Sequence, residues 1–176
     1  MKNIKKYKSI NDSRHGFTLL EVLLYVSIFG ILVLSFSGFF SLIINSRSKG
    51  QAMMEINNQG SFLVNMITQK IRNTEDINLP SVGTGSASLS LDVVEINDDP
   101  TIFNTVGDVL YITEGVNSSV ALTNNRVLVS NLNFNNVSLV DTPGLISFQF
   151  MLSHINLEGR QEYNYSKIFY GSASLK

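Results

Sequence analysis

The sequence predicts an α+β protein: a long N-terminal α-helix, half membrane-spanning and half amphipathic, packed on a C-terminal antiparallel β-sheet domain. Three observations carry that prediction. The 28 residues from Phe17 to Ile44 hold one formal charge, Glu21. The next stretch, "RSKGQAMMEINNQGSFLVNMITQKIRN", keeps its apolar residues at helical spacing. From about Leu89 the pattern changes to short runs rich in β-branched and aromatic residues, separated by turn residues.

A chain of 176 residues suits one globular domain plus an appendage, and no internal repeat marks a second domain. The formal charge of −1 conceals an asymmetry. Lys2, Lys5, Lys6, Lys8 and Arg14 face only Asp12 within residues 1–16, while residues 17–176 carry an acidic excess. A basic head on an acidic body argues against nucleic-acid binding, where the basic footprint should lie on the folded face. The absence of cysteine excludes a disulfide framework and thiolate metal sites.

Residues 1–16 form the basic leader, and 17–44 the apolar helix. As a helix the apolar run rises roughly 42 Å, enough to cross a hydrocarbon core of about 30 Å. The excess of Lys and Arg ahead of it predicts a cytoplasmic N-terminus with the remainder outside. A secretory signal begins in the same way, but its apolar core is about half as long and closes on a small-residue cleavage pattern. Here "SFSGFFSLIINSRS" runs on without a polar break.

Glu21 is the anomaly. A carboxylate at bilayer depth costs on the order of 2.5–3.5 kcal/mol. Either it reaches water near the interface or takes up a proton, or it has a fixed positive partner. Cleavage between Gly16 and Phe17 would create such a partner, an α-amine four residues from Glu21. Packing of helices side by side could then pair Glu21 with a neighbour's amine and fix their stagger.

The basic leader followed by Gly16-Phe17-Thr18-Leu19-Leu20-Glu21 and a long apolar helix resembles the type IV prepilin and pseudopilin signature. The resemblance implies that a membrane-embedded peptidase cuts after Gly16 and N-methylates Phe17, and that Glu21 is the assembly glutamate. It implies other pilins or pseudopilins, a platform membrane protein and an assembly ATPase as partners, and residence in the bacterial cytoplasmic membrane before assembly. Many major pilins carry a helix-bending proline where Gly38 stands, so local loosening of the helix there is in question. Shorter runs, "QKIRN", "RVLVSNLNF" and "GSASLK", are similar to W-type minor pilins and J-type pseudopilins.

Ser27, Gly30, Ser37, Gly38 and Ser41 fall within an arc of about 100° on the helix, a stripe that would let helices approach closely. Leu34 interrupts it, and ordinary membrane-helix composition is the alternative. The amphipathic continuation is placed at 45–79, with Ala52, Met53, Ile56, Leu63, Val64, Ile67 and Ile71 on one arc. Gly60 lies inside that arc, which predicts close packing against a sheet. Gly50 is a second weak point.

The β-rich domain is placed at 80–176. "SVGTGSAS" reads as a linker, "LSLDVVEI", "DVLYIT", "VALT" and "RVLVS" as strands, and "NDDP" and "DTPG" as turns. Leu145 to Leu152 is the clearest strand, with Ile146, Phe148, Phe150 and Leu152 on one face. "SKIFYGSASL" closes the chain as another.

No catalytic frame is visible, so the chain reads as a peptidase substrate rather than an enzyme, with no cofactor or metal expected. His15 belongs to the basic flank and His154 to a surface loop. Asp98 and Asp99 sit in a turn, with too few converging oxygens for calcium. Asn117, Asn136 and Asn164 fit the glycosylation sequon by chance. Phe169, Tyr170 and Tyr165 read as sheet core. Three functions compete: a minor pilin, a secretion pseudopilin, and a signal-anchored surface domain that binds a ligand without assembling.

Overall fold

The computed structural model describes residues 16, 18–139, 142–156, 159 and 163–176. The leader residues 1–15, His15 among them, Phe17, and Asp141 of the "DTPG" turn lie outside the described residues. The chain divides into two units, Met1–Ile43 and Ile44–Lys176.

One helix, α1, runs Leu19–Arg72. In the first unit it passes through Gly30 and Gly38 without interruption. From Thr18 to Ile43 every described residue is exposed except Glu21, which is half-buried. Serine hydroxyls inside the apolar run turn back on their own helix: Ser27 Oγ donates to the Leu23 carbonyl at 2.8 Å and Ser35 Oγ to Ile31 at 2.9 Å. Such bonds satisfy a hydroxyl where water is scarce.

In the second unit α1 presents Ala52, Ile56, Gly60, Leu63, Ile67 and Ile71 inward, all buried, at the spacings of three or four that one helix face requires. Val64 is half-buried on the flank, and Met53 stays exposed at the start of the stripe. The helix stops at Arg72, earlier than the segment to 79 predicted from sequence. The Asn73 N–H reaches back to the Gln69 and Lys70 carbonyls, and Thr74 Oγ1 donates to the Lys70 carbonyl at 2.7 Å, closing the last turn. Lys70 and Arg72 in that turn suit the negative end of the helix dipole. Thr74–Leu79 then forms strand β1.

The β domain is two antiparallel sheets rather than one. The first has the order β1-β3-β4-β5-β6, with β3 Leu89–Val93, β4 Thr101–Val106, β5 Val109–Glu114 and β6 Val120–Ala121. The second has the order β2-β7-β8-β9, with β2 Gly85–Ser86, β7 Val127–Asn136, β8 Leu145–His154 and β9 Ser166–Ser174. The segment read as a linker thus contributes β2. "VALT" and "RVLVS" lie in different sheets, so the segment through Asn124 and Asn125 is a crossover between them. β7 carries a register irregularity between Ser130 and Asn133, where Asn131 takes a φ of 52°. Asn tolerates that left-handed conformation better than most residues.

The helix stripe and both sheets share one core. Leu89, Leu91, Phe103 and Leu110 reach it from the first sheet, and Phe134, Ile146, Phe148, Phe150 and Leu152 from the second. The predicted alternation of Leu145 to Leu152 is the one observed. Two glycines make room for phenylalanine rings in this core. A Cβ on Gly60 would lie 2.1 Å from the Phe169 ring, and one on Gly171 would lie 2.2 Å from the ring of its cross-strand partner Phe148. Phe169 has little freedom to retreat, because it stacks on Phe150 with ring centroids 5.5 Å apart. The close packing predicted at Gly60 is therefore against β9.

A valine at Gly60 should cost about 1–3 kcal/mol through overpacking. Urea unfolding of the full-length chain in detergent measures it, and a loss under about 0.5 kcal/mol would contradict the seating of Phe169.

Candidate assembly site

The N-terminus of α1 is a formed cap. Thr18 Oγ1 accepts the Glu21 N–H at 3.2 Å, and the Thr18 carbonyl accepts the N–H groups of Glu21 and Val22 at 3.1 and 3.2 Å. Thr18 is thus the N-cap residue and Glu21 the third helical residue, the Thr-x-x-Glu spacing of a capping box. Among the described residues only the Thr18 half of that box is made. The Tyr25 hydroxyl, one turn further along the helix, donates to Glu21 Oε1 at 3.1 Å. A carboxylate in the first turn also suits the positive end of the helix dipole.

Of the predicted site residues, Gly16 is described and exposed, and a Cβ there would meet nothing within 4 Å. Phe17 lies outside the described residues. Ser27, Gly30, Ser37, Gly38 and Ser41 are all exposed, and added Cβ atoms on Gly30 and Gly38 would meet nothing within 4 Å. No contact among the described residues accounts for glycine at either position. Sequence reasoning overlooked Thr18 and Tyr25. Their signals were present: a Thr three residues before Glu21, and a hydroxyl-bearing side chain four residues after it.

An apolar helix, long and apolar enough to cross a membrane and carrying one first-turn carboxylate, together with a two-sheet β domain defines the class: an α+β protein with a candidate membrane span. Residues 11–37 match the family model of the prokaryotic N-terminal methylation motif. That match and the apolar helix support a prepilin with leader cleavage, methylation and a transmembrane helix. The motif implies processing by a prepilin peptidase and assembly with other pilins, as a structural subunit rather than an enzyme. No curated protein and no solved structure matches the chain.

The remaining candidates are used structurally. His154 ends β8 rather than lying in a loop. Its ring stacks on Tyr163 with centroids 5.4 Å apart, and its Nδ1 lies 2.8 Å from the Ile155 carbonyl. A carbonyl only accepts, so Nδ1 carries the proton. Asn136 is buried and donates to the Pro80 carbonyl at 2.8 Å, which closes that sequon to a glycan; Asn117 and Asn164 are exposed. Of the aromatic trio Phe169 is buried and Tyr165 packs on the core, but Tyr170 is 68% exposed, because adjacent strand residues point to opposite faces.

Asp99 bends back so that its Oδ1 accepts the Val93 N–H at 3.3 Å. Repulsion from Asp99, then desolvation, a hydrogen bond with Asp99, and the charges of Glu75 and Asp76 raise the Asp92 pKa above its ordinary 3.8. The folded chain takes up that proton more readily than the unfolded one. The ionised Asp92 therefore weakens the fold above the raised value and ceases to do so as pH falls towards 3.8. Asp92→Asn should raise the unfolding midpoint at pH 7, with the gain shrinking on acidification and in high salt. A gain that persists unchanged at about pH 3 would contradict the electrostatic cause.

Proposed function

We propose that this chain is a subunit of a type IV pilus-like filament, in the manner of a minor pilin. The observation that carries the reading is the coincidence in one register of the methylation motif, the Gly16–Phe17 junction and Glu21, the one charge of the apolar run. A peptidase cuts between Gly16 and Phe17 and methylates the new terminus. The helix anchors the subunit with its N-terminus on the cytoplasmic side until the filament takes it up.

Assembly moves the apolar helix from lipid into a core of similar helices. The two surroundings are alike in polarity, so little hydrophobic free energy is gained. Packing and electrostatics then set the register. The stripe of Ser27, Gly30, Ser37, Gly38 and Ser41 lets a neighbouring backbone approach, and Glu21 pairs with the Phe17 amine of an adjacent subunit. The shorter runs resemble W-type minor pilins and J-type pseudopilins alike, which supports a place among minor subunits. A platform membrane protein and an assembly ATPase are the implied machinery.

Glu21→Ala should leave cleavage at Gly16 intact while the share of the chain recovered in sheared filaments falls about tenfold or more, the effect of removing one partner of a desolvated ion pair. Immunoblots of membrane and sheared fractions at matched expression measure it. Equal incorporation of mutant and wild type would remove Glu21 from the mechanism. Recovery of the wild type with the pseudopili of a secretion system, and not with surface pili, would replace the minor-pilin reading by the pseudopilin one.

A further inference from the structure

We propose that Tyr25 is a positioning residue for Glu21, holding one carboxylate oxygen while the group meets a partner subunit's amine; this rests on the filament reading above. After cleavage Glu21 has two amines to choose between: its own chain's, on the residue preceding the N-cap Thr18, and a neighbour's. Only the second fixes a stagger between subunits. A glutamate at the third helical position would ordinarily turn back towards the N-cap and the chain's own terminus.

The Tyr25 hydroxyl competes with that return. The Tyr25 hydroxyl sits one turn further along α1, at the i,i+4 spacing where helix side chains meet, and donates to Glu21 Oε1 at 3.1 Å. Among the described residues Oε2 takes no hydrogen bond. One oxygen is thus held by a donor that needs no water. The phenol suits this place, since its ring is apolar and its hydroxyl is a single donor. The residue is 52% exposed.

The test compares the wild type with Tyr25→Phe, Glu21→Ala and the double variant, all full-length and expressed with the assembly machinery. Tyr25→Phe removes only the hydroxyl, so the helix keeps its packing. The filament share of Tyr25→Phe should fall about two- to tenfold, the factor a net hydrogen bond supplies, with cleavage unchanged. The double variant should incorporate no less than Glu21→Ala alone. Wild-type incorporation by Tyr25→Phe, or the same fold-loss in the Glu21→Ala background, would overturn the proposal.

A second readout needs no filament. In full-length protein in micelles, the ¹³Cζ resonance of Tyr25 should shift in Glu21→Ala and stay put in Glu55→Ala. An unmoved resonance overturns the contact. A shifted resonance with the wild type absent from every sheared filament would instead overturn the filament reading, and this role with it.

Discussion

A carboxylate in a run of 28 residues with no other charge is the constraint on which the N-terminal part of this protein depends. Among the described residues its own chain offers it one hydroxyl, from Tyr25, and offers its backbone N–H another, from Thr18. Neither is a counter-charge. At bilayer depth that leaves a cost of a few kcal/mol, comparable to the differences that decide between alternative packings of apolar helices. In the proposed filament the missing charge comes from processing. The same cleavage places an amine at the helix start, where the dipole disfavours a cation, so that terminus also gains from a carboxylate supplied by another subunit.

The second unit solves a different problem, that of covering one helix face with strands from two sheets. The stripe from Ala52 to Ile71 provides the common surface, and glycines at 60 and 171 admit the rings of Phe169 and Phe148. Lys70 on the helix pairs with Glu114 on β5, Glu55 accepts from Asn124, and Lys167 on β9 donates to Asn57 at 2.7 Å. Partly exposed pairs of this kind add little each. Their place around the stripe keeps the helix in rotational register while the apolar core supplies the stability. Most sheet edges are unsuited to pairing with other chains: β1 has two register irregularities and carries Glu75 and Asp76, and β2 and β6 are two residues long.

The helix and the anomaly at Glu21 were legible in the sequence, because helical periodicity and charge are local properties. So was β8, whose four inward apolar residues alternate without a break. β1 was missed for an equally local reason. "TEDINL" buries Thr74 and half-buries Ile77, and offers no apolar alternation to distinguish it from a frayed helix end. The division into two sheets was hidden because strand pairing is set by contacts far apart in the chain. Tyr170 was assigned to the core by its type, whereas its neighbour Phe169 had already claimed the inward face. Around Glu21 the contacts of Thr18 and Tyr25 were not legible, because they depend on side-chain rotamers that no pattern displays.

Pairing of Glu21 with a processed terminus is tested most directly by the mass of the N-terminal peptide of the native protein, taken from membrane and sheared-filament fractions. A filament-borne chain should begin at an N-methylated Phe17, with the longer form confined to membranes. A filament-borne chain that retains residues 1–16 would contradict the pairing, because no amine would then exist at Phe17 for Glu21 to meet.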